Sequence, residues 1–176
     1  MRTITLTCTL LATMATEAQY LADAGRPDPA EEFIRAGERA YRAGDHSTAI
    51  LAFTKALEAA PDHVNAHLQR GFCLTIAKQY DLAAADFTAV LEQKPDHAQA
   101  IISRGSALAK LGRHAEAIAD FDRAIALDPR NGEAYNNRGW SRKSMGDAPG
   151  ACKDWKESKR SGNAEARIIL ENNRCK

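Results

Sequence analysis

The chain has almost no net charge, few aromatic residues and no long apolar run. Lys and Arg number 24 against 23 Asp and Glu, and aromatic residues make up 6% of the 176 residues. A nucleic-acid partner needs a one-sided basic stripe, whereas the densest basic stretch, Lys153 to Arg160, is interleaved with Asp154 and Glu157. A membrane-spanning helix needs about 20 apolar residues in succession. The sequence therefore predicts neither a nucleic-acid partner nor a membrane span.

Sequence patterns for catalysis and for metal binding are also absent. His63 and His67 are four residues apart, but Pro61 and Asp62 place His63 at a turn or helix entry, so the two rings are not expected to share a ligand. No cysteine or carboxylate set completes a tetrahedral zinc site. Nothing resembles a nucleophile elbow or a phosphate-binding glycine loop. We therefore predict that the protein is not an enzyme and carries no metal or cofactor.

What the chain does contain is a repeat of 34 residues. Four glycines stand at this interval: Gly37, Gly71, Gly105 and Gly139. An alanine follows each glycine by twelve residues and a large aromatic follows it by sixteen, the aromatics being Phe53, Phe87, Phe121 and Trp155. Self-similarity at this period is the signature of a helix–turn–helix solenoid.

Each unit contains two helical patterns separated by a short break. In the third unit Ile101 and Leu108 return at helical spacing, Gly112 interrupts, and a second stripe begins at Ala117. Glycine inside a helix costs about 1 kcal/mol relative to alanine, so its return in every unit indicates close approach of two helices. Two histidines precede the second helices of their units, and we predict that they face solvent: His46 and His114.

Residues 117–129 (AIADFDRAIALDP) and 134–139 (AYNNRG) resemble the tetratricopeptide repeat. The resemblance spans Ala30 to about Asn163. It implies an all-α fold, a right-handed superhelical solenoid of antiparallel helix pairs. The expected units are residues 30–63, 64–97, 98–131 and 132–163, followed by a C-terminal capping helix over residues 164–176.

The sequence departs from this family at the residue before each glycine. The family's leucine is Ala36 in the first unit and arginine in the other three, and the residue before the aromatic is Ala52 in the first unit and aspartate in the others. Since the unit without arginine also lacks aspartate, we predict three structural pairs: Arg70–Asp86, Arg104–Asp120 and Arg138–Asp154. Coincidence among four units is the alternative.

The first 29 residues lie outside the repeat. Met1-Arg2, the uncharged apolar stretch 4–15 and the small residues near Ala18 are typical of a secretory signal peptide over residues 1–18. Residues 19–29, with Pro27 and Pro29, are predicted to form a linker. A disordered or helical N-terminal extension is the alternative.

Two cysteines near the chain's end are predicted to form a disulfide. Cys152 lies early in the last second helix, and Cys175 follows a segment that reads as another helix. If that helix packs back antiparallel, Cys175 returns to the level of Cys152, and a bridge forms if the α-carbons come within about 7 Å. The alternative is two free thiols in a cytoplasmic protein. Residues 146–155 also resemble the ends of small exported bacterial tetratricopeptide proteins, which implies a periplasmic or secreted location.

The resemblance also implies a concave groove lined by the first helix of each unit. Counting from each glycine gives the predicted partner contacts: Ile34, Leu68, Gln69, Phe72, Ile102, Ser103, Ser106, Asn136, Asn137, Trp140 and Lys143. This surface suits an extended peptide or a helix, with Phe72 and Trp140 as expected hot spots. The alternative is that both rings pack between neighbouring units.

One ligand class of the family is disfavoured by residue identity. The lysine and asparagine clamp that holds the acidic C-termini of heat-shock chaperones is replaced here by Ile34, Glu38, Gln69, Gln99 and Ser103. The sequence therefore predicts a protein–protein interaction scaffold whose partner is an unidentified protein or peptide. The alternative is a structural subunit that forms a homo-oligomer through its solenoid ends.

Overall fold

The computed structural model describes residues 28–175, which form nine α-helices. The helices are α1 (Pro29–Arg42), α2 (His46–Ala59), α3 (Val64–Ile76), α4 (Tyr80–Gln93), α5 (Ala98–Lys110), α6 (His114–Leu127), α7 (Gly132–Ser144), α8 (Ala148–Arg160) and α9 (Glu165–Asn172). The predicted signal peptide and most of the predicted linker lie outside the described residues. Pro29, assigned to that linker, is the first residue of α1, a position that tolerates proline.

The helices pack in chain order as antiparallel pairs, α1 with α2 through α7 with α8, and each pair packs against the next. The first helices α1, α3, α5 and α7 also touch one another from unit to unit. The predicted all-α array of helix pairs is therefore confirmed. The last helix, α9, packs on α8, and it is shorter at both ends than the capping helix that we expected. No helix within residues 28–175 is long and apolar enough to cross a membrane.

The helix starts are fixed by side chains that recur with the repeat. His63 Nδ1 accepts a hydrogen bond from the amide of Ala66 at 3.1 Å, and His97 Nδ1 accepts one from Ala100 at 3.2 Å. Asn131 does the same in the fourth unit. These bonds satisfy amides that have no partner inside the helix. The helix entry predicted at His63 is thus confirmed, and His97 occupies the same position in the next unit.

The repeated glycines allow each first helix to approach an aromatic ring of its own unit. A Cβ added to Gly105 would lie 2.8 Å from Phe121 Cε1, and one added to Gly139 would lie 2.6 Å from Trp155 Nε1. The same contact occurs in the first two units between Gly37 and Phe53 and between Gly71 and Phe87. All four aromatics are buried, so glycine is required where the two helices cross.

All three predicted Arg–Asp pairs are present, each with two parallel hydrogen bonds. Arg70 donates to Asp86 at 2.8 and 2.7 Å, Arg104 to Asp120 at 2.9 and 2.6 Å, and Arg138 to Asp154 at 3.0 and 2.6 Å. The aspartates are buried and the arginines half-buried. Hydrogen bonding to Asp120 raises the pKa of the Arg104 guanidinium.

A disulfide joins Cys152 of α8 to Cys175, just after α9, with the α-carbons 5.4 Å apart. The end of α9 is also joined to α7, because Lys143 Nζ donates to Asn173 Oδ1 at 2.5 Å. Cys73 is a buried free thiol in the core. The C-terminal helix is therefore attached to the fourth unit by a covalent bond and a hydrogen bond.

Candidate functional site

The predicted partner contacts all lie on α1, α3, α5 and α7, and we call the surface that these helices share the first-helix face. These residues differ in how far they are exposed to solvent. Ile34 and Ile102 are each 3% exposed and belong to the apolar core. They support the face from beneath and offer a partner almost no surface. Spacing alone does not distinguish these positions from exposed ones.

The two predicted hot spots differ in exposure. Phe72 is half-buried and packs with Leu68 against the core, its ring 5.4 Å from that of Phe87. Trp140 is 42% exposed, although its ring also meets Trp155 edge-on at 5.1 Å. Lys143 Nζ lies 5.2 Å from the centre of the Trp140 ring. Of the two predicted hot spots, Trp140 in the fourth unit therefore offers the larger accessible aromatic surface.

Polar side chains connect the first helices next to Trp140. Asn137 Nδ2 of α7 donates to Ser106 Oγ of α5 at 3.3 Å, while Ser103 accepts a bond of 3.3 Å from Gln99 within α5. Gln69 and Asn136 are half-buried. Ser106, Asn137 and Trp140 are thus brought together, and Gln69 stands apart from them on α3.

A pocket of about 340 Å³ opens beside Trp140 between α5, α6 and α7. We call it the Trp140 pocket, and its lining residues are Ser106, Ala109, Lys110, His114, Phe121, Asn137, Trp140, Ser141 and Ser144. The sequence explains why the Trp140 pocket forms at the third unit. Phe72 contacts Phe87 and Trp140 contacts Trp155, whereas the corresponding residue of the third unit is the small Ser106, which leaves room beside Phe121.

The prediction that His46 and His114 face solvent is wrong. Both rings are half-buried, and the Nδ1 atom of each is buried. His46 packs against Tyr41 with ring centres 5.5 Å apart, and His114 lines the Trp140 pocket. The side chain of the first residue in a second helix can turn back and pack against the preceding helix. The sequence position alone does not reveal this packing.

Sequence analysis also missed Ser141 as a lining residue. Its counterparts in the second and third units are Cys73 and Ala107, which are both buried. A hydroxyl at a position that holds small apolar residues in the second and third units was the available signal.

Formal charge changes in one direction along the array. Residues 28–63 carry seven acidic and four basic side chains, and residues 64–97 carry four and three, giving net charges of −3 and −1. Residues 98–131 carry four acidic and five basic side chains, and residues 132–163 carry four and seven, giving +1 and +3. The array of units therefore runs from an acidic unit to a basic unit, with the Trp140 pocket between the two positive units.

The family model for the tetratricopeptide repeat matches residues 34–98, 77–132 and 102–157. The chain belongs to the tetratricopeptide repeat family. No curated protein sequence matches it. Among solved structures, MamA 41-end from Desulfovibrio magneticus RS-1 is 24% identical with a TM-score of 0.73, covering 93% of this chain and 95% of that one. MamA AMB-1 is 27% identical with a TM-score of 0.71, covering 79% and 80%.

A third tetratricopeptide structure of similar fold contains a ligand. The first TPR of Spaghetti (RPAP3), bound to HSP90 peptide SRMEEVD, is 24% identical with a TM-score of 0.63 and covers 67% of this chain and 94% of that one. At these identities the similarity to MamA of D. magneticus and to Spaghetti concerns the fold. The tetratricopeptide family is typically non-catalytic.

Proposed function

We propose that this tetratricopeptide protein is a non-catalytic interaction scaffold that binds an extended peptide or a helix on its first-helix face. The observation that carries the proposal is the exposed Trp140 ring beside the Trp140 pocket. Exposed aromatics next to a pocket are the common anchors of protein interfaces. Ser106 and Asn137 supply polar groups at the same place, so apolar and hydrogen-bonding contacts are available together.

Two further observations support the class of partner and the compartment. A tetratricopeptide domain of similar fold holds a short peptide in the Spaghetti structure. The residues here depart from the chaperone clamp, so we expect a partner other than an acidic chaperone tail. The Cys152–Cys175 disulfide is compatible with an oxidising compartment, and we propose a periplasmic or secreted location.

A random peptide library displayed on phage tests the proposed function without knowledge of the natural partner. We expect the chain to enrich peptides that share a motif, and Trp140→Ala to weaken their binding by at least about tenfold, as loss of a hot spot does. Leu82→Ala is the matched control, because Leu82 is an apolar residue on the second helix α4 that is even more exposed than Trp140, 57% against 42%. Enriched peptides that bind both variants as well as the wild type would contradict the proposal.

Self-association is the alternative function, and the charge order of the units favours it. An acidic first unit and a basic fourth unit attract each other when copies align head to tail. Light scattering after size-exclusion chromatography tests this. Self-association predicts a larger mass at about 0.02 M salt than at about 0.5 M, because screening shortens the reach of charge interactions. A monomer at both salt concentrations rules it out.

A further inference from the structure

We propose that the Trp140 pocket receives a tyrosine side chain of the bound partner. This inference rests on the proposed function, since it assigns the partner's chemistry at one point of the first-helix face. Two buried polar atoms, each on a residue that lines this pocket, carry it.

The first atom is the hydroxyl oxygen of Ser141. Ser141 is 1% exposed, and its Oγ has no hydrogen-bond partner among residues 28–175. Helical hydroxyls elsewhere in the chain donate to the carbonyl four residues earlier at 2.8 Å, as in Thr54, Thr75 and Thr88. The buried Ser158 also has a partner, the carbonyl of Gly132 at 2.7 Å. Since a buried polar group without a partner is unfavourable, a ligand that pairs with Ser141 gains affinity.

The second atom is Nδ1 of His114, on the opposite helix α6. It is buried and has no hydrogen-bond partner within the described part of the chain. A neutral imidazole nitrogen accepts or donates one bond, and a serine hydroxyl does both. A ligand hydroxyl, which donates and accepts, can therefore pair with Ser141 Oγ in either direction and with His114 Nδ1 in either tautomer. A phenol hydroxyl has both capacities and no charge, whereas a carboxylate or an ammonium would bring a charge into a pocket that is lined in part by aromatic rings.

The other residues that line the pocket favour a ligand with an aromatic ring. Phe121 and Trp140 contribute aromatic rings and Ala109 a methyl group, beside the polar side chains of Ser106, Lys110, Asn137 and Ser144. A volume of about 340 Å³ accommodates one large side chain. Tyrosine combines an aromatic body with a polar tip and so suits an apolar pocket with a polar base. An amide side chain offers the same polar capacities but no ring to contact Trp140 and Phe121.

Two small probes that differ in one hydroxyl test the inference. p-Cresol is the side-chain analogue of tyrosine and toluene that of phenylalanine. Each is titrated into the full chain while NMR shifts of the Trp140 indole and the Ser141 amide report binding. We expect p-cresol to bind on the order of tenfold more tightly than toluene, because it pairs with groups that toluene leaves unpaired.

The variant Ser141→Ala measures how much the Ser141 hydroxyl contributes to the binding of each probe. The third unit carries a buried alanine, Ala107, at the equivalent position, so the fold accommodates this change. The variant is expected to bind p-cresol and toluene with nearly equal affinity, while its affinity for toluene stays close to that of the wild type. Trp140→Ala is expected to weaken both probes, followed through the Ser141 amide, and Leu82→Ala to weaken neither.

Three results would overturn the inference: equal affinity of the wild type for both probes, a p-cresol preference that survives in Ser141→Ala, or tighter binding of propionate than of p-cresol. The phage selection separates this inference from the proposed function. Peptides that depend on Trp140 but lack tyrosine overturn the tyrosine assignment alone. The lack of any peptide that depends on Trp140 overturns the proposed function itself.

Discussion

Arg104 is hydrogen-bonded to Asp120 of its own unit and to Thr88 of the preceding unit. Its Nε and Nη2 donate to the carboxylate at 2.9 and 2.6 Å, and its Nη1 donates to Thr88 Oγ1 at 3.4 Å. The two partners lie sixteen residues after and sixteen residues before the arginine. One guanidinium therefore connects the second helices of two consecutive units through a single first helix.

The same arrangement occurs at both neighbouring junctions. Arg70 reaches back to Thr54 at 3.2 Å, and Arg138 reaches back to Asp122. The first unit carries Ala36 and Ala52 at the corresponding positions. The arginines thus fix the register between units as well as the geometry within each unit.

Arg104 and Asp120 are predicted to be energetically coupled. A double-mutant cycle with Arg104→Ala and Asp120→Ala should give a coupling free energy of about 1–3 kcal/mol in urea unfolding, because either single change leaves a half-buried or buried charge without its partner. The exposed pair Arg113–Glu116 is the control and should give about 0–1 kcal/mol. Equal coupling at both pairs would contradict a structural role for the buried one.

Gly105→Ala is predicted to destabilise the fold. Alanine favours helix by about 1 kcal/mol, but its Cβ would lie 2.8 Å from Phe121 Cε1, and overpacking of this kind costs about 1–3 kcal/mol or more. Thermal unfolding measures the net effect. Phe121→Leu in the same chain should reduce the cost of Gly105→Ala, since it removes the clashing ring. A glycine variant as stable as the wild type would mean that the close approach is not needed.

Reduction of the disulfide is predicted to release α9. Hydrogen exchange within Glu165–Asn172 should become faster with a thiol reductant, while α5 and α6 keep their protection. If unfolding is two-state, the bridge should contribute about 3 kcal/mol, as expected for a loop of this length. The variant Cys152→Ser should show fast exchange in α9 with or without reductant. If α9 keeps its protection from hydrogen exchange after reduction, side-chain packing holds this helix in place and the disulfide does not.

The contribution of Cys73 to stability is predicted to fall at alkaline pH. Burial raises the pKa of its thiol from 9.0 to about 11. The unfolded chain therefore ionises this thiol before the folded chain does, so the contribution is complete below about pH 9 and is lost as pH rises towards 11. The difference in unfolding free energy between the wild type and Cys73→Ala should shrink between about pH 8 and about pH 11. A constant difference would contradict the raised pKa.

The repeat made most of the fold predictable from the sequence. Gly105 and Phe121 recur in phase in every unit, so their contact follows from two antiparallel helices of known spacing. The absence of both arginine and aspartate from the first unit pointed to pairs such as Arg70–Asp86 in the same way. These inferences needed only distances within one unit.

Contacts between units were harder to predict. Thr88 meets Arg104 only because successive pairs are rotated by a particular angle, which no single unit encodes. Ile34 and Ile102 have the spacing of surface residues but are covered by neighbouring elements. The Trp140 pocket arises from residues of two units, with Ser106 small where its counterparts are large, so it is visible only once the pairs are stacked.

The order of charge along the four units makes the molecule a strong electric dipole although its formal net charge is only +1. A dipole of this kind turns in the field of any charged surface, with the acidic first unit facing cations and the basic fourth unit facing anions. At low ionic strength and neutral pH the chain should be retained by both anion-exchange and cation-exchange resins. On an anionic surface the basic fourth unit would face the surface and the acidic first unit would face away from it.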